Sequence, residues 1–194
     1  MSNRVGVLAL QGAFGLHIEA CAEIGVEAIQ VRTAAQLDTV DRLILPGGES
    51  TTMSMMLDLN HVREPIAERL ADGMPAFGTC AGMILLATSV SDGRADQKSF
   101  GSIDIGVKRN GYGRQNQSFS DQVAVEALDD SETGFHAVFI RAPRVEHVGA
   151  GVDVLASYDG DPVLCQQNSV LVSAFHPELS HDHRLHRYFC DLGT

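Results

Sequence analysis

Met74-Pro75-Ala76-Phe77-Gly78-Thr79-Cys80-Ala81-Gly82 is a short apolar run that breaks at a Gly-x-Cys-x-Gly turn, after which the chain resumes with helical character over residues 81–89. A strand over 74–78, entered from the turn at Asp72-Gly73 and left within a few residues for a helix, predicts the strand-turn-helix unit of an α/β sheet with a cysteine at its apex. The reversal is so sharp that a β-carbon at either flanking glycine would collide with a neighbouring strand or helix. Such a turn presents the thiol at the carboxyl end of a parallel strand, where open α/β sheets place ligands. The helix N-terminus beyond it favours thiolate over thiol, and the Ala81 N–H points at the same place. Taken alone, the motif also describes a small buried thiol between two packing glycines. The case for a nucleophile therefore turns on finding a base.

Outward from the turn, the chain reads as a doubly wound sheet. Residues 4–10 predict a buried strand, 13–24 a helix, 27–31 a second strand and 42–45 a third, ending at Pro46-Gly47-Gly48-Glu49-Ser50. Helices are expected over 51–60 and 62–71, the latter with Pro65 tolerated near its start. Beyond a polar loop at 91–99 the pattern shifts to strands: 102–109, 123–128, 137–141, 152–158, 163–167 and 170–175. Asp159-Gly160 and Asn168-Ser169 supply hairpin turns among the last three. A closing helix over 182–192 would pack Leu185, Tyr188, Phe189 and Leu192 on the sheet. The expectation is one α/β domain over 1–194, with a central, mostly parallel sheet and antiparallel strands added in the C-terminal half. The loops at 91–99 and 109–120 are placed to border a site.

His176-Pro177-Glu178 supplies the base. Proline keeps the preceding residue out of the helical region, so His176 stays extended, and residues i and i+2 of an extended chain project to one side. The Glu178 carboxylate then accepts from one imidazole nitrogen, leaving the other to take a proton from Cys80, which is the nucleophile-base-orienter logic of a catalytic triad. The glycines of Pro46-Gly47-Gly48-Glu49-Ser50-Thr51-Thr52 let backbone N–H groups approach a developing oxyanion, with Gly48 as candidate donor beside Ala81. Glycine loops that open a helix also cradle phosphates, but Glu49 and the lack of a Gly-Lys-Ser/Thr ending disfavour that use here.

Bulk properties narrow the partners. Hydrophobic residues make up 44% and charged residues 20%, an ordinary globular balance, and the net charge of -11 repels phosphate backbones and anionic lipid alike. Neither nucleic acid nor membrane is an expected partner. The apolar stretch ending at Gln11 is too short for a signal peptide or a membrane span, so a cytoplasmic location is expected. Cys21, Cys80, Cys165 and Cys190 form no C-x-x-C pair, against a disulfide framework or a zinc ribbon. His183, His186 and Cys190 do share a helix face at zinc-gathering spacing, yet no fourth ligand is evident and packing roles are expected.

Together, the segments at 46–52, 78–82 and Ser173-Ala174-Phe175-His176-Pro177-Glu178-Leu179 resemble the class I glutamine amidotransferases. Within these, the chain is most similar to the glutaminase subunits of pyridoxal phosphate synthase. Gly6-Val7-Leu8-Ala9-Leu10-Gln11-Gly12-Ala13, Arg109-Asn110, Tyr112-Gly113-Arg114-Gln115 and Phe139-Ile140-Arg141-Ala142-Pro143 extend the likeness over nearly the whole chain. Many class I relatives carry glutamine four residues after the cysteine; Ile84 stands there, as in the vitamin B6 subfamily.

The resemblance implies a three-layer, flavodoxin-like fold and hydrolysis of L-glutamine by Cys80, His176 and Glu178, with no cofactor and no metal. It also implies glutamine contacts from Gly48, Glu49, Ser50, Arg109, Ile140 and Arg141, and ammonia delivery to a separate synthase subunit in a hetero-oligomeric complex. Activity would be low alone and raised by the partner, and the segments at 14–17 and 53–56, which fit the family pattern less well, weigh on partner contacts rather than on chemistry. A catalytically silent regulatory copy would be free to lose one of the three site segments, and all three are present. A glutaminase serving another pathway would be told apart by its synthase.

Overall fold

A computed structural model describes residues 4–94, 96–111, 118–128 and 133–193. The first half alternates strand and helix: β1 (Val5–Leu8), α1 (Phe14–Glu23), β2 (Ala28–Val31), α2 (Ala34–Leu37), β3 (Arg42–Leu45), α3 (Ser50–Leu59), α4 (Arg63–Ala71), β4 (Ala76–Thr79) and α5 (Ala81–Leu86). Strands dominate the second half: β5 (Ala87–Val90), β6 (Ile103–Lys108), β7 (Ser118–Val123), β8 (Phe135–Ile140), β9 (Arg144–Val148), β10 (Asp153–Tyr158), β11 (Asp161–Gln167) and β12 (Val170–Ser173). A 3-10 turn (Pro177–Leu179) and α6 (Arg184–Asp191) follow.

The main sheet has the order β10-β11-β12-β4-β3-β1-β2. Neighbours from β12 to β2 run parallel, while β10 and β11 add antiparallel strands at one edge. The run β2-β1-β3-β4-β12 is the flavodoxin-like order, so the expected α/β class and its C-terminal antiparallel additions are what the chain adopts. Strands β1, β3, β4 and β12 are buried at every residue, as parallel strands covered on both faces must be. Phe77 packs on Phe189 of α6 with ring centroids 5.5 Å apart, whereas its neighbour Gly78 faces α5, so helices lie on opposite faces of β4. Arg42 is buried within β3 and its guanidinium donates to the carbonyls of Phe189 and Leu192, satisfying the end of α6.

Several local expectations give way to tertiary pairing. The helix expected to run to Ser89 stops at Leu86, because residues 87–90 form β5 and pair with β6. The Leu85 and Leu86 carbonyls, which a longer helix would have used, accept from the N–H groups of Phe100 and Ser102 instead. The strand expected over 123–128 lies earlier, as β7, paired antiparallel with β8; beyond Val123 the chain turns, with Leu128 N–H donating to Val125 C=O. The strand expected to reach Phe175 ends at Ser173. Besides β5, the elements not anticipated are α2, β9 and the 3-10 turn at Pro177–Leu179. The Tyr112-Gly113-Arg114-Gln115 motif lies outside the described residues, and the 109–120 loop is described only at its ends. Among the described residues no helix is long and apolar enough to cross a membrane.

Candidate active site

The three catalytic segments leave the carboxyl ends of three adjacent parallel strands, β3, β4 and β12, while Arg109 follows β6 and Ile140 ends β8 in the smaller sheets. Thr79 of β4 is in register with Ser173 of β12, and Leu45 of β3 with Gly78 of β4. One residue beyond Thr79 is Cys80, and three beyond Ser173 is His176. The Cys80 N–H donates to the Ser173 carbonyl at 2.8 Å, tying the two exits together. Cys80 has φ 49° and ψ -98°, a left-handed backbone that a non-glycine residue holds only under surrounding constraint. The flanking glycines supply that constraint: a β-carbon on Gly82 would strike the Leu45 carbonyl, and one on Gly78 the Gly82 carbonyl and Leu86. The collision expected from the sequence thus falls on backbone, which cannot swing aside.

His176 is 7% exposed, and its N–H donates to the Val138 carbonyl of β8 at 2.8 Å. Its Nδ1 lies 2.7 Å from Glu178 Oε1. The contact is made differently from the extended arrangement expected. Pro177 begins a 3-10 turn with His176 as its N-cap, and the turn folds Glu178 back beneath the imidazole. Burial works against a charged His176, but hydrogen bonds to Cys80 and Glu178, with their negative charge, outweigh it and raise the imidazole to about 10. Burial likewise opposes ionised Glu178, and the His17 and His176 rings beside it bring the carboxyl below its ordinary range.

These values carry a sign for stability. A histidine raised in the folded state contributes stability fully present below its unfolded value near 6.5 and lost as pH rises through about 10. The denaturant midpoint is therefore expected to fall between about pH 7 and 10. His176→Asn should lack that component, which parallel urea titrations of both proteins would check.

Cys80 and His176 open onto a cavity of about 280 Å3, which Gly48, Glu49, Ser50, Arg109, Ile140 and Arg141 also line. Eight of the ten expected site residues therefore share one wall system. Glu178 stands behind His176, and Ala81 heads α5, where its N–H has no acceptor within the helix. The glycine loop presses close: a β-carbon on Gly47 would meet the His176 ring, and one on Gly48 the Gln11 side-chain oxygen. The Gly47 carbonyl accepts from Ala13 N–H at 3.1 Å, so the N–H of Gly48, on the same trans peptide plane, faces the opposite way.

Glu49 is held by its own helix. Its carboxylate accepts from the N–H groups of Thr51 (3.1 Å) and Thr52 (2.7 Å), the Thr52 hydroxyl (2.6 Å) and Arg109 Nη2 (3.0 Å). Partial burial opposes its charge, yet the bonds from Thr52 and Thr51 bring it down to about 2. Four donors fill the lone-pair positions of one carboxylate, so Glu49 presents charge rather than a spare acceptor to the cavity. Arg109 is accordingly paired. Arg141, exposed and with φ 45°, makes no ion pair among the described residues.

Gln11, Asn110 and Ile84 also line the cavity and were not among the expected contacts. Gln11 Oε1 accepts from Glu49 N–H at 2.8 Å and so ties the β1 exit to the glycine loop. Its position just past a central parallel strand was the available signal. The other thiols sit elsewhere: Cys165 is pushed up to about 12 by burial, and a hydrogen bond between Cys21 and Cys190 raises the former and lowers the latter. The side chains weighed for zinc diverge, His183 to Glu23, His186 to His17 and Cys190 to Cys21.

A family model described as the SNO glutamine amidotransferase family matches residues 7–192. The chain is 50% identical to the pyridoxal 5'-phosphate synthase subunit PdxT of Salinispora arenicola (strain CNS-205), over 97% of this chain and 95% of that one. A crystal structure of a glutamine amidotransferase superposes with a TM-score of 0.89 at 46% identity, covering 95% of this chain and 96% of the other. The PurLQS structure from Thermotoga maritima superposes with a TM-score of 0.62 at 19% identity, covering 94% of this chain and 91% of the matched one, a likeness of fold alone.

Proposed function

This chain belongs to the SNO glutamine amidotransferase family, and on that premise we propose that it hydrolyses L-glutamine through Cys80, His176 and Glu178 and passes the ammonia to a synthase subunit that makes pyridoxal 5'-phosphate. The observation that carries the reading is the 2.7 Å bond between His176 Nδ1 and Glu178 Oε1. It leaves Nε2 of the same ring for the thiol of Cys80 on the neighbouring strand exit.

The Cys80 thiolate attacks the side-chain carbonyl carbon of glutamine, and the oxyanion is met by the N–H groups of Gly48 and Ala81. His176, protonated in the ion pair, gives its proton to the leaving nitrogen, and ammonia departs as the thioester forms. Water then loses a proton to His176 and attacks the thioester carbon, expelling the thiolate and releasing glutamate. The substrate's α-carboxylate suits Arg141, the cavity cation without an ion-pair partner among the described residues, while its ammonium suits the Glu49 charge and the Ile140 carbonyl. Gly48, Ser50 and Arg109 complete the wall around the amino acid. Four free thiols fit a reducing, cytoplasmic setting.

The chain is assayed for glutamate formation with and without the pyridoxal phosphate synthase subunit. Turnover is expected to be low alone and to rise at least about tenfold on assembly, roughly 1.4 kcal/mol of barrier. Absence of glutamate in both conditions would sink the reading.

A further inference from the structure

Behind Glu178, on the side away from Cys80, stand three buried polar side chains that the proposed chemistry does not use. They are His17 of α1, His186 of α6 and Thr79 at the end of β4. His17 Nδ1 lies 2.9 Å from His186 Nε2, and His17 Nε2 lies 3.3 Å from Thr79 Oγ1 and 3.4 Å from Glu178 Oε2. The two carboxylate oxygens are unequal. Oε1 has the 2.7 Å bond with His176, whereas Oε2 is buried with no directed hydrogen bond among the described residues. His17 is the ring that faces it.

The surroundings of the two rings favour one arrangement of their protons. Two neutral imidazoles 2.9 Å apart share one proton, so one donates and the other accepts. Were His17 protonated on Nδ1, its Nε2 lone pair would face a carboxylate oxygen in a low-dielectric interior, a repulsive arrangement. With the proton on Nε2, the N–H lies between Glu178 Oε2 and the Thr79 hydroxyl, and Nδ1 accepts from His186 Nε2–H. His186 Nδ1 then carries no proton, which matches its lack of a hydrogen-bond partner among the described residues. Burial favours the neutral form of both rings. For His17 it outweighs the upward pull of Glu178 and is reinforced by His176, and for His186 it acts together with His17 and His183.

We propose that His17 is a positioning residue for the triad, its Nε2–H facing and holding the outer oxygen of Glu178, with His186 fixing the tautomer that allows it. The inference rests on the triad reading above and deepens it. Glu178 is thereby pinned at both ends, its inner oxygen on His176 and its outer oxygen on His17, so the carboxylate stays ionised and aimed while the Cys80-His176 ion pair forms. The ionisable groups facing His17 are Glu178 and His176 at the β12 exit and His186 on α6. His183 acts through His186, their ring centroids 6.0 Å apart.

Nitrogen-15 NMR of histidine-labelled full-length chain tests the proton placement without any substitution. His17 is expected with its proton on Nε2 and a bare Nδ1; the opposite tautomer overturns the proposal. A second measurement follows the pH at which iodoacetamide alkylates Cys80 in the parent, His17→Met and His17→Gln chains. The methionine variant removes the donor and should move the midpoint up by about one pH unit. In the synthase complex it should lower glutamine kcat about 10- to 100-fold with KM within about twofold. Glutamine at 17 restores an N–H at similar reach and should recover most of both effects. A folded methionine variant with the parental midpoint and turnover overturns the positioning role. Alkylation of Cys80 that leaves glutamine hydrolysis intact would instead sink the triad reading, so the two failures are distinguishable.

Discussion

Cys80→Ala is expected to remove glutamine hydrolysis from the assembled complex, with turnover falling by about 10⁴-fold or more. The size follows from what the cysteine supplies. Among the described residues it is the one thiol on the cavity, and its backbone is held at φ 49° so that the side chain leaves the sheet at the level of His176. No described neighbour offers another nucleophile with a base at hand, and Ser50, also on the wall, is the first residue of α3, on a different strand exit from His176. Cys80→Ser should fare little better, because a hydroxyl resists ionisation far more than a thiol in the same surroundings. Glutamine affinity, measured by equilibrium binding to the alanine variant, is expected to stay within a few-fold of the parent. Near-normal turnover in either variant would remove the nucleophile from the mechanism.

Glu178→Gln should cost nearly as much, about 10³- to 10⁴-fold in kcat, by analogy with the loss of a triad carboxylate elsewhere. The carboxylate receives His176 Nδ1 on one oxygen and faces His17 Nε2 with the other. An amide has a single oxygen and cannot serve both rings. Whichever way the glutamine turns, one imidazole meets an NH2 group and is driven toward the wrong tautomer or out of position. The neutral side chain also removes one of the influences that lift His176 toward about 10, so the imidazole holds its proton less firmly. Single-turnover measurement of thioester formation would separate this from a change in binding. An unchanged acylation rate would show that the carboxylate has no part in aligning the base.

Much of the architecture was legible because it is encoded in short range. The all-buried strands around 42–45 and 76–79 are short and mainly apolar, with Arg42 and Thr79 the polar residues among them, and the break at Gly78-Thr79-Cys80-Ala81-Gly82 is a local steric necessity. What escaped was decided by partners distant in sequence. Ala87–Val90 follows an apolar helical stretch smoothly, and only pairing with β6 makes it a strand. Arg144–Val148 follows Pro143 and is a strand because β6 offers it an edge. The short α2 had a readable signal, since Thr33 and Gln36 form a capping box whose three-residue spacing marks a helix start.

At the site, eight of the ten expected residues line one cavity; Arg109, Ile140 and Arg141 come from the ends of β6 and β8 outside the main sheet, whereas Gly48, Glu49, Ser50, Cys80 and His176 stand just past parallel strand ends, a position the sequence pattern displays. Gln11 shares that position and was passed over because its partner, the Glu49 N–H, is set by folding. His17 was unreadable as part of the triad's surroundings, since nothing local tells a helix histidine that it will face a carboxylate about 160 residues away; the separation is that of Glu178 from His17 along the chain.

The register that sets Thr79 beside Ser173 also orders events in time. On a chain made from its N-terminus, β1 to β4 and the cysteine emerge well before β12, which must then seat itself between β4 and β11. Pairing across so long a stretch closes a large loop and belongs to the slow part of assembly. Until it closes, Cys80 lacks its neighbour His176, the Cys80 N–H has no Ser173 carbonyl to meet, and the left-handed turn has lost one of its braces. On the proposed reading, nucleophile and base therefore meet only at the last stage of folding, and a nascent or partly folded chain carries the cysteine without its triad.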